Sequence, residues 1–127
     1  MPKFHRDTSD SITYNGETLC RIVADESFVC QFKRINIGEK GGFIGANASL
    51  DEKGTCGVLH NAFLAGHASL SGNATISEHA VVRANARVYE NASVCGESVI
   101  DGNAVIRGGA HIVGSACVLD NARGSGQ

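Results

Sequence analysis

Histidine is the residue type in this chain best suited to acid–base chemistry, because imidazole gains and loses a proton near neutral pH. Four of the five histidines lie within a six-residue sequence pattern. His67 and His79 stand at a position that is Asn in six other repeats, so we expect them to replace Asn structurally. His60 and His111 are the two weak candidates for a catalytic base, and no complete catalytic set is predicted.

Metal binding through these histidines is not predicted. His60 and His79 are nineteen residues apart, and no third ligand accompanies them, whereas zinc sites use three or four protein ligands. The five cysteines are scattered and form no C-x-x-C pair, which favours a reduced, cytoplasmic setting. We therefore expect neither a metal nor a cofactor.

Arginine supplies the second kind of recognition chemistry. Every basic residue from Val58 onward is arginine, and its planar guanidinium suits carboxylate and phosphate groups. A candidate binding set for an anion, a nucleotide or an acidic partner consists of Arg87, Tyr89, Arg107 and Arg123. The alternative is an ordinary solvated surface whose charge is balanced by nearby glutamates.

All of these groups lie on a repeat with a period of six residues, and the fold of that repeat must position them. An aliphatic residue recurs at every sixth position from Val58 to Val118, and from Ala62 onward alanine lies two positions before it, except at Ser98. Two inward residues around one outward residue predict a short strand, and the Gly-Asn or Gly-His pairs that follow predict a tight corner. Such internal repeats are typical of solenoids.

Three six-residue sides would close one coil, so residues eighteen apart should stack vertically. We predict an all-β protein with about four to five triangular coils of parallel β-helix over residues 41–123, followed by a polar tail, 124–127. Residues 1–40 are predicted to cap the solenoid. Within them, 11–14 and 17–23 predict a β-hairpin with a type I′ turn at Asn15-Gly16, and Phe28, Cys30 and Phe32 a further strand.

The spacing of an aliphatic residue followed four positions later by a small one resembles the hexapeptide-repeat, left-handed β-helix proteins over about two-thirds of the chain. The repeated Asn-Ala pairs, such as those at 91–92 and 103–104, and the leader over 15–56 resemble phage and prophage repeat proteins without a demonstrated activity. The resemblance implies a left-handed coil and side-by-side dimers or trimers.

One outward column is apolar, and apolar stripes usually mark association surfaces. Stacking by eighteen aligns Phe63, Val81, Val99 and Cys117, with Leu119 beside them, as the predicted oligomer interface. The alternative is isolated surface apolar residues, which are common. The third outward face, which includes Ser93 and His111, carries no evident pattern.

The net charge of −2 disfavours indiscriminate nucleic-acid binding, and no apolar run or signal peptide indicates a membrane. We expect a non-catalytic oligomeric protein in the bacterial cytoplasm that inhibits a host factor, such as a CRISPR-type defence complex, or sequesters a nucleotide. One alternative is a hexapeptide-type acyltransferase using CoA or an acyl carrier, although the cleft-shaping loop and C-terminal helix of that class are missing. Another is a self-assembling structural solenoid.

Overall fold

Short strands separated by tight corners make up nearly all of the chain, as the six-residue period predicts. The structure is a computed structural model that describes residues 4–14, 16–30, 33–51, 57–118 and 123–126. These residues contain no helix. In chain order, the strands are β1 (Phe4–Tyr14), β2 (Glu17–Ala24), β3 (Phe28–Cys30), β4 (Lys33–Ile35), β5 (Lys40–Gly45), β6 (Ser49–Leu50), β7 (Gly57–Val58), β8 (Phe63–Leu64), β9 (Ser69–Leu70), β10 (Thr75–Ile76), β11 (Val81–Val82), β12 (Arg87–Val88), β13 (Ser93–Val94), β14 (Val99–Ile100), β15 (Val105–Gly108), β16 (His111–Ile112), β17 (Cys117–Val118) and β18 (Arg123–Gly126).

The strands stack into three parallel sheets that form the sides of a β-solenoid of about four turns. The orders are β5-β8-β11-β14-β17, β6-β9-β12-β15-β18 and β7-β10-β13-β16. Backbone partners are eighteen residues apart, as Phe63 with Val81 and Val81 with Val99. The chain is therefore a parallel β-helix, and the predicted stacking by eighteen is confirmed.

From His60 to Gly114, each corner contains one residue in the left-handed backbone region. These residues recur every six positions with φ between 58° and 74°, and they are His60, Gly66, Gly72, Glu78, Ala84, Glu90, Gly96, Gly102, Gly108 and Gly114. A residue with a Cβ atom is strained there by roughly 1–2 kcal/mol. Glycine avoids this strain, which explains the Gly-Asn and Gly-His pairs at the predicted corners.

The core is a column of alanine and branched aliphatic side chains inside the solenoid. The aliphatic positions from Val58 to Ile106 are at most 1% exposed. Ser98, the exception in the alanine column, is also buried, and its hydroxyl donates to the carbonyl of Cys95 at 2.9 Å. At other corners the backbone N–H of alanine makes the corresponding bond, as from Ala80 to Ser77. Serine therefore fits because its hydroxyl is satisfied.

The N-terminal hairpin is longer than the sequence predicts. β1 begins at Phe4 rather than at residue 11, with an irregularity between Asp7 and Ser11, and β2 ends at Ala24 rather than at residue 23. The polar start of β1 gives no apolar alternation, yet its backbone pairs with β2. Gly16 has φ +78°, as a primed turn requires, while Asn15 lies outside the described residues.

The hairpin is joined to the solenoid by a shared sheet. β2 pairs antiparallel with β5, and β5 pairs parallel with β8. The further strand predicted at Phe28, Cys30 and Phe32 is present over its described residues as β3, while Phe32 lies outside them. Phe28 pairs with Ile35, so β3 and β4 form a second hairpin. The alternating pattern concealed this reversal. Ile35 is buried against Ala24 and Leu59, so β3–β4 packs on a corner of the first coil.

Most of the predicted polar tail belongs to a strand. Residues 124–126 are part of β18, which pairs parallel with β15 over four positions, from Val105 with Arg123 to Gly108 with Gly126; Gln127 lies outside the described residues. Backbone pairing needs no apolar side chain, so the Gly-Ser composition did not reveal this strand.

Candidate functional site

The arginine face is the outward surface of the sheet that contains β9, β12 and β15. Arg87 and Arg107 are exposed on it, and Tyr89 is half-buried. Val88 pairs with Ile106, so the residues that follow them, Tyr89 and Arg107, occupy equivalent positions on adjacent coils. Arg123 pairs through its backbone with Val105, and its side chain lies outside the described part of the structure. The fold thus brings the predicted residues onto one face.

Arg87 and Arg107 differ from Arg83, another arginine of the solenoid, in their side-chain contacts. Within the described ranges, neither Arg87 nor Arg107 has an ion pair or a hydrogen-bonded side-chain partner. Arg83, by contrast, pairs with Asp101 at 2.9 Å and donates to the Tyr14 hydroxyl at 2.6 Å. The arginine face therefore presents two guanidinium groups whose donors are available to a ligand.

Stacking by eighteen places Asp101 beside Arg83, and their side chains form an ion pair. The hydrogen bond with Asp101 raises the pKa of Arg83, and the bond to Tyr14 acts in the same direction. The pKa of Asp101 is lowered by the bond from Arg83 and then by the backbone N–H of Gly102. The pair ties the tip of the first hairpin to two successive coils.

The apolar face is the outward surface of the sheet from β8 to β17. Its column of Phe63, Val81, Val99 and Cys117 is aligned as predicted. Phe63 is partly covered, because Tyr14 packs edge-on against it with ring centroids 5.1 Å apart. The hairpin thus occupies one end of the predicted interface, an arrangement that the sequence did not reveal.

The rest of this column is accessible. Val81 and Val99 are half-buried and Cys117 is exposed, while Leu119 lies outside the described residues. Association through this face stays a prediction.

His60 has a structural contact at a corner. Its Nδ1 accepts a hydrogen bond from the backbone N–H of Glu78 at 3.2 Å, and the Glu78 carboxylate in turn accepts from the N–H of Gly96 at 3.0 Å. Each of these two side chains is thereby bonded to the backbone at the corner of the next coil. A ring nitrogen used in this way is not available as a base, which weakens the candidacy of His60.

His111 has a partner that the sequence analysis missed. Its Nδ1 lies 2.6 Å from Ser93 Oγ, in an exposed position. Ser93 and His111 are aligned by the pairing of β13 with β16, so their spacing of eighteen was the available signal. A hydroxyl beside imidazole is the arrangement of a nucleophile and its base. No carboxylate among the described residues contacts this histidine, so an orienting third group is missing.

The neighbouring thiol does not supply a reactive group. Burial raises the pKa of Cys95, and the charge and hydrogen bond of Glu78 raise it further. The thiol therefore stays protonated near neutral pH, and the thiolate is the nucleophilic form. Among the described residues, no group of three or more His, Cys, Asp and Glu side chains could hold a metal ion.

The chain matches no protein-family model, and no curated protein matches it. In the part of the chain that the structure describes, no helix has the length and apolarity needed to cross a bilayer.

Proposed function

We propose that this protein is a non-catalytic binding protein that holds an anionic partner on its arginine face. The observation that supports this function is the pair of exposed guanidinium groups of Arg87 and Arg107, which lack a carboxylate partner among the described residues. Arginine prefers carboxylate and phosphate groups because its donors match their geometry. Tyr89 adds an aromatic surface on which a ring can stack.

The wider setting is proposed from the sequence resemblance. The chain is a hexapeptide-repeat, left-handed β-helix protein of phage or prophage type, acting in the cytoplasm of a bacterial host. Its partner is an acidic host protein, such as a component of a CRISPR-type defence complex, or a nucleotide signal. Fold alone does not determine function, so the arginine face carries this proposal.

Replacing Arg87 and Arg107 with alanine is expected to reduce partner retention at least about tenfold, because each charge-assisted hydrogen bond contributes about 1.5–3 kcal/mol. The measurement is affinity capture from a bacterial host lysate, followed by mass spectrometry of retained proteins and extracted small molecules. The matched control is Arg34→Ala, which removes an exposed arginine from β4. Equal retention by the double variant and the control would contradict the proposal, and so would a wild type that retains nothing.

We propose further that the protein associates side by side through the apolar face. Changing Val81 and Val99 to glutamate is expected to lower the molar mass in multi-angle light scattering to that of the monomer. A charge at an interface centre costs roughly 2–4 kcal/mol in association free energy. The control is Val105→Glu with Val113→Glu, which places the same charges on the other two faces. An unchanged mass in the first variant would reject this interface.

An acyltransferase is the second candidate function, and the Ser93–His111 contact favours it. In that case His111 would take the proton of the acceptor hydroxyl or amine as it attacks the thioester of acetyl-CoA, and free CoA would leave. Calorimetry with acetyl-CoA tests it, since a clear micromolar signal would favour the acyltransferase over the binding proposal. End-to-end assembly, the third possibility, is disfavoured because the hairpins β1–β2 and β3–β4 pack against the first coil.

A further inference from the structure

The first coil leaves part of the solenoid core unfilled. Leu50 is half-buried, whereas Leu70, its backbone partner in the next coil, is 1% exposed. Among the described residues, β2 joins the first coil along one of its three sides, through β5, which explains the difference. Within these residues, β6 is the edge strand of its sheet and has no paired strand on the N-terminal side.

A cavity of about 100 Å³ lies at this end of the core and opens to solvent. Its apolar lining comes from Phe4, Ile22, Ile44 and Leu50. Ile22 and Ile44 are each 3% exposed and belong to the main core cluster. The volume is below the roughly 300–1,000 Å³ of small-molecule pockets, so the cavity has room for a short aliphatic group and not for a larger ligand.

A second, smaller space adjoins it. About 10 Å³ lies beneath the same Phe4 and Ile22, which is room for about one water molecule. Its further lining includes Phe28, Ile35 and Val58, together with Glu39 and Lys40. The apolar lining thus continues toward the hairpin β3–β4, but the space for a ligand is confined to the first cavity.

The polar lining of the cavity is cationic. Arg6 and His5 line it, and both are exposed. His5 is paired with Asp25 at 2.7 Å, which offsets its charge when it is protonated. A guanidinium has five N–H donors, and within the described residues Arg6 uses one of them, to the carbonyl of Gly45 at 3.3 Å.

The carboxylates of the hairpin are committed to other groups. Asp7 accepts from the hydroxyl of Ser9 at 2.6 Å, Asp10 accepts from Arg21 at 2.8 Å, and Glu17 accepts from the N–H of Gly66 at 2.9 Å. Arg6 therefore has donors available beside an apolar cavity. This combination of a cationic mouth and an aliphatic interior matches an anion with a short hydrocarbon tail.

We infer that the cavity binds a short aliphatic carboxylate, with its tail against Ile22, Ile44 and Leu50 and its carboxylate on Arg6. This site lies at the N-terminal end of the solenoid, and the inference is independent of the arginine face. Both oxygens of a carboxylate can accept from one guanidinium, so the site should bind a carboxylate more tightly than a neutral head group.

The probe is sodium hexanoate, titrated into the full chain while methyl resonances are followed by NMR. We expect saturable shifts of the Ile22, Ile44 and Leu50 methyl groups, and weaker shifts with 1-hexanol at the same concentration. Arg6→Gln should weaken hexanoate binding about tenfold, as expected for loss of a charge-assisted bond. Its effect on 1-hexanol should be small, and Arg34→Gln should bind hexanoate as the wild type does.

A second variant tests the apolar part of the site. Leu50 is half-buried, so the variant Leu50→Phe should fold. The larger phenylalanine ring is expected to occupy the cavity and abolish the hexanoate shifts. Absence of methyl shifts in the wild type would overturn the inference. Equal binding of hexanoate by the wild type and Arg6→Gln would overturn the assignment of a carboxylate ligand.

Discussion

Replacing Leu70 with alanine is expected to lower the free energy of unfolding by about 2–5 kcal/mol, the usual range for a buried leucine. The side chain is 1% exposed in the middle of the core cluster, with coils on both sides of it. A cavity there cannot collapse easily, because β6 and β12 hold the neighbouring positions through backbone pairing. Urea denaturation monitored by circular dichroism measures the loss.

Leu50 provides the matched control, since it is the same residue type in the same column of the same sheet. It is half-buried, so Leu50→Ala should cost about half as much as Leu70→Ala. Equal losses would mean that the first coil is packed as tightly as the second, which would also argue against the N-terminal cavity.

Gly42→Ala should lower the free energy of unfolding by about 3 kcal/mol, at the upper end of the usual cost of overpacking. A Cβ at this position would collide with the backbone carbonyl oxygen of Ala62 and would lie 2.6 Å from Val58 Cγ1. This carbonyl accepts a hydrogen bond from the N–H of Phe43 at 2.9 Å, so it cannot move aside as a flexible side chain can. The urea midpoint should fall while the m-value stays constant.

Gly38→Ala separates this collision from the general effect of adding a methyl group. No atom lies within 4 Å of a Cβ at Gly38, but its φ of +85° strains any other residue. We expect a loss of about 1–2 kcal/mol from that strain. A larger loss for Gly38→Ala than for Gly42→Ala would contradict the close approach of β5 to the second coil.

The solenoid itself was predictable because its signal is repeated. The aliphatic position recurs eleven times between Val58 and Val118, so the single exception in the alanine column, Ser98, does not obscure the period. The stacking by eighteen follows from that period, and the alignment of Phe63 with Val81 confirms it. The same period predicts which outward residues form each column.

The N-terminal region was less predictable because its structure depends on contacts that occur once. The polar start of β1 is extended by pairing with β2, and the β3–β4 reversal breaks an alternating pattern without a change of composition. The contact of Tyr14 with Arg83 joins residues 69 positions apart. No local pattern records such a contact, and so the sequence did not indicate that the hairpin covers part of the apolar face.

The Ser93–His111 contact shows a different limit. Its two residues lie in a column that could be assigned, but a lone serine and a lone histidine carry no signal until their side chains are placed. The same holds for His60, because its bond to the N–H of Glu78 depends on the placement of its ring and leaves no pattern in the sequence. Side-chain geometry, rather than backbone register, decides both roles.

The repeat separates the residues that maintain shape from those that meet other molecules. Two side chains in each six-residue side turn inward, as Ala62 and Leu64 do, and the backbone of the next coil supplies most of the remaining bonds. Outward side chains can then be exchanged without altering the spacing of about 4.8 Å between strands. Single substitutions of outward residues can therefore change the surface without changing the backbone. Two variants with the same scaffold could then recognise different targets.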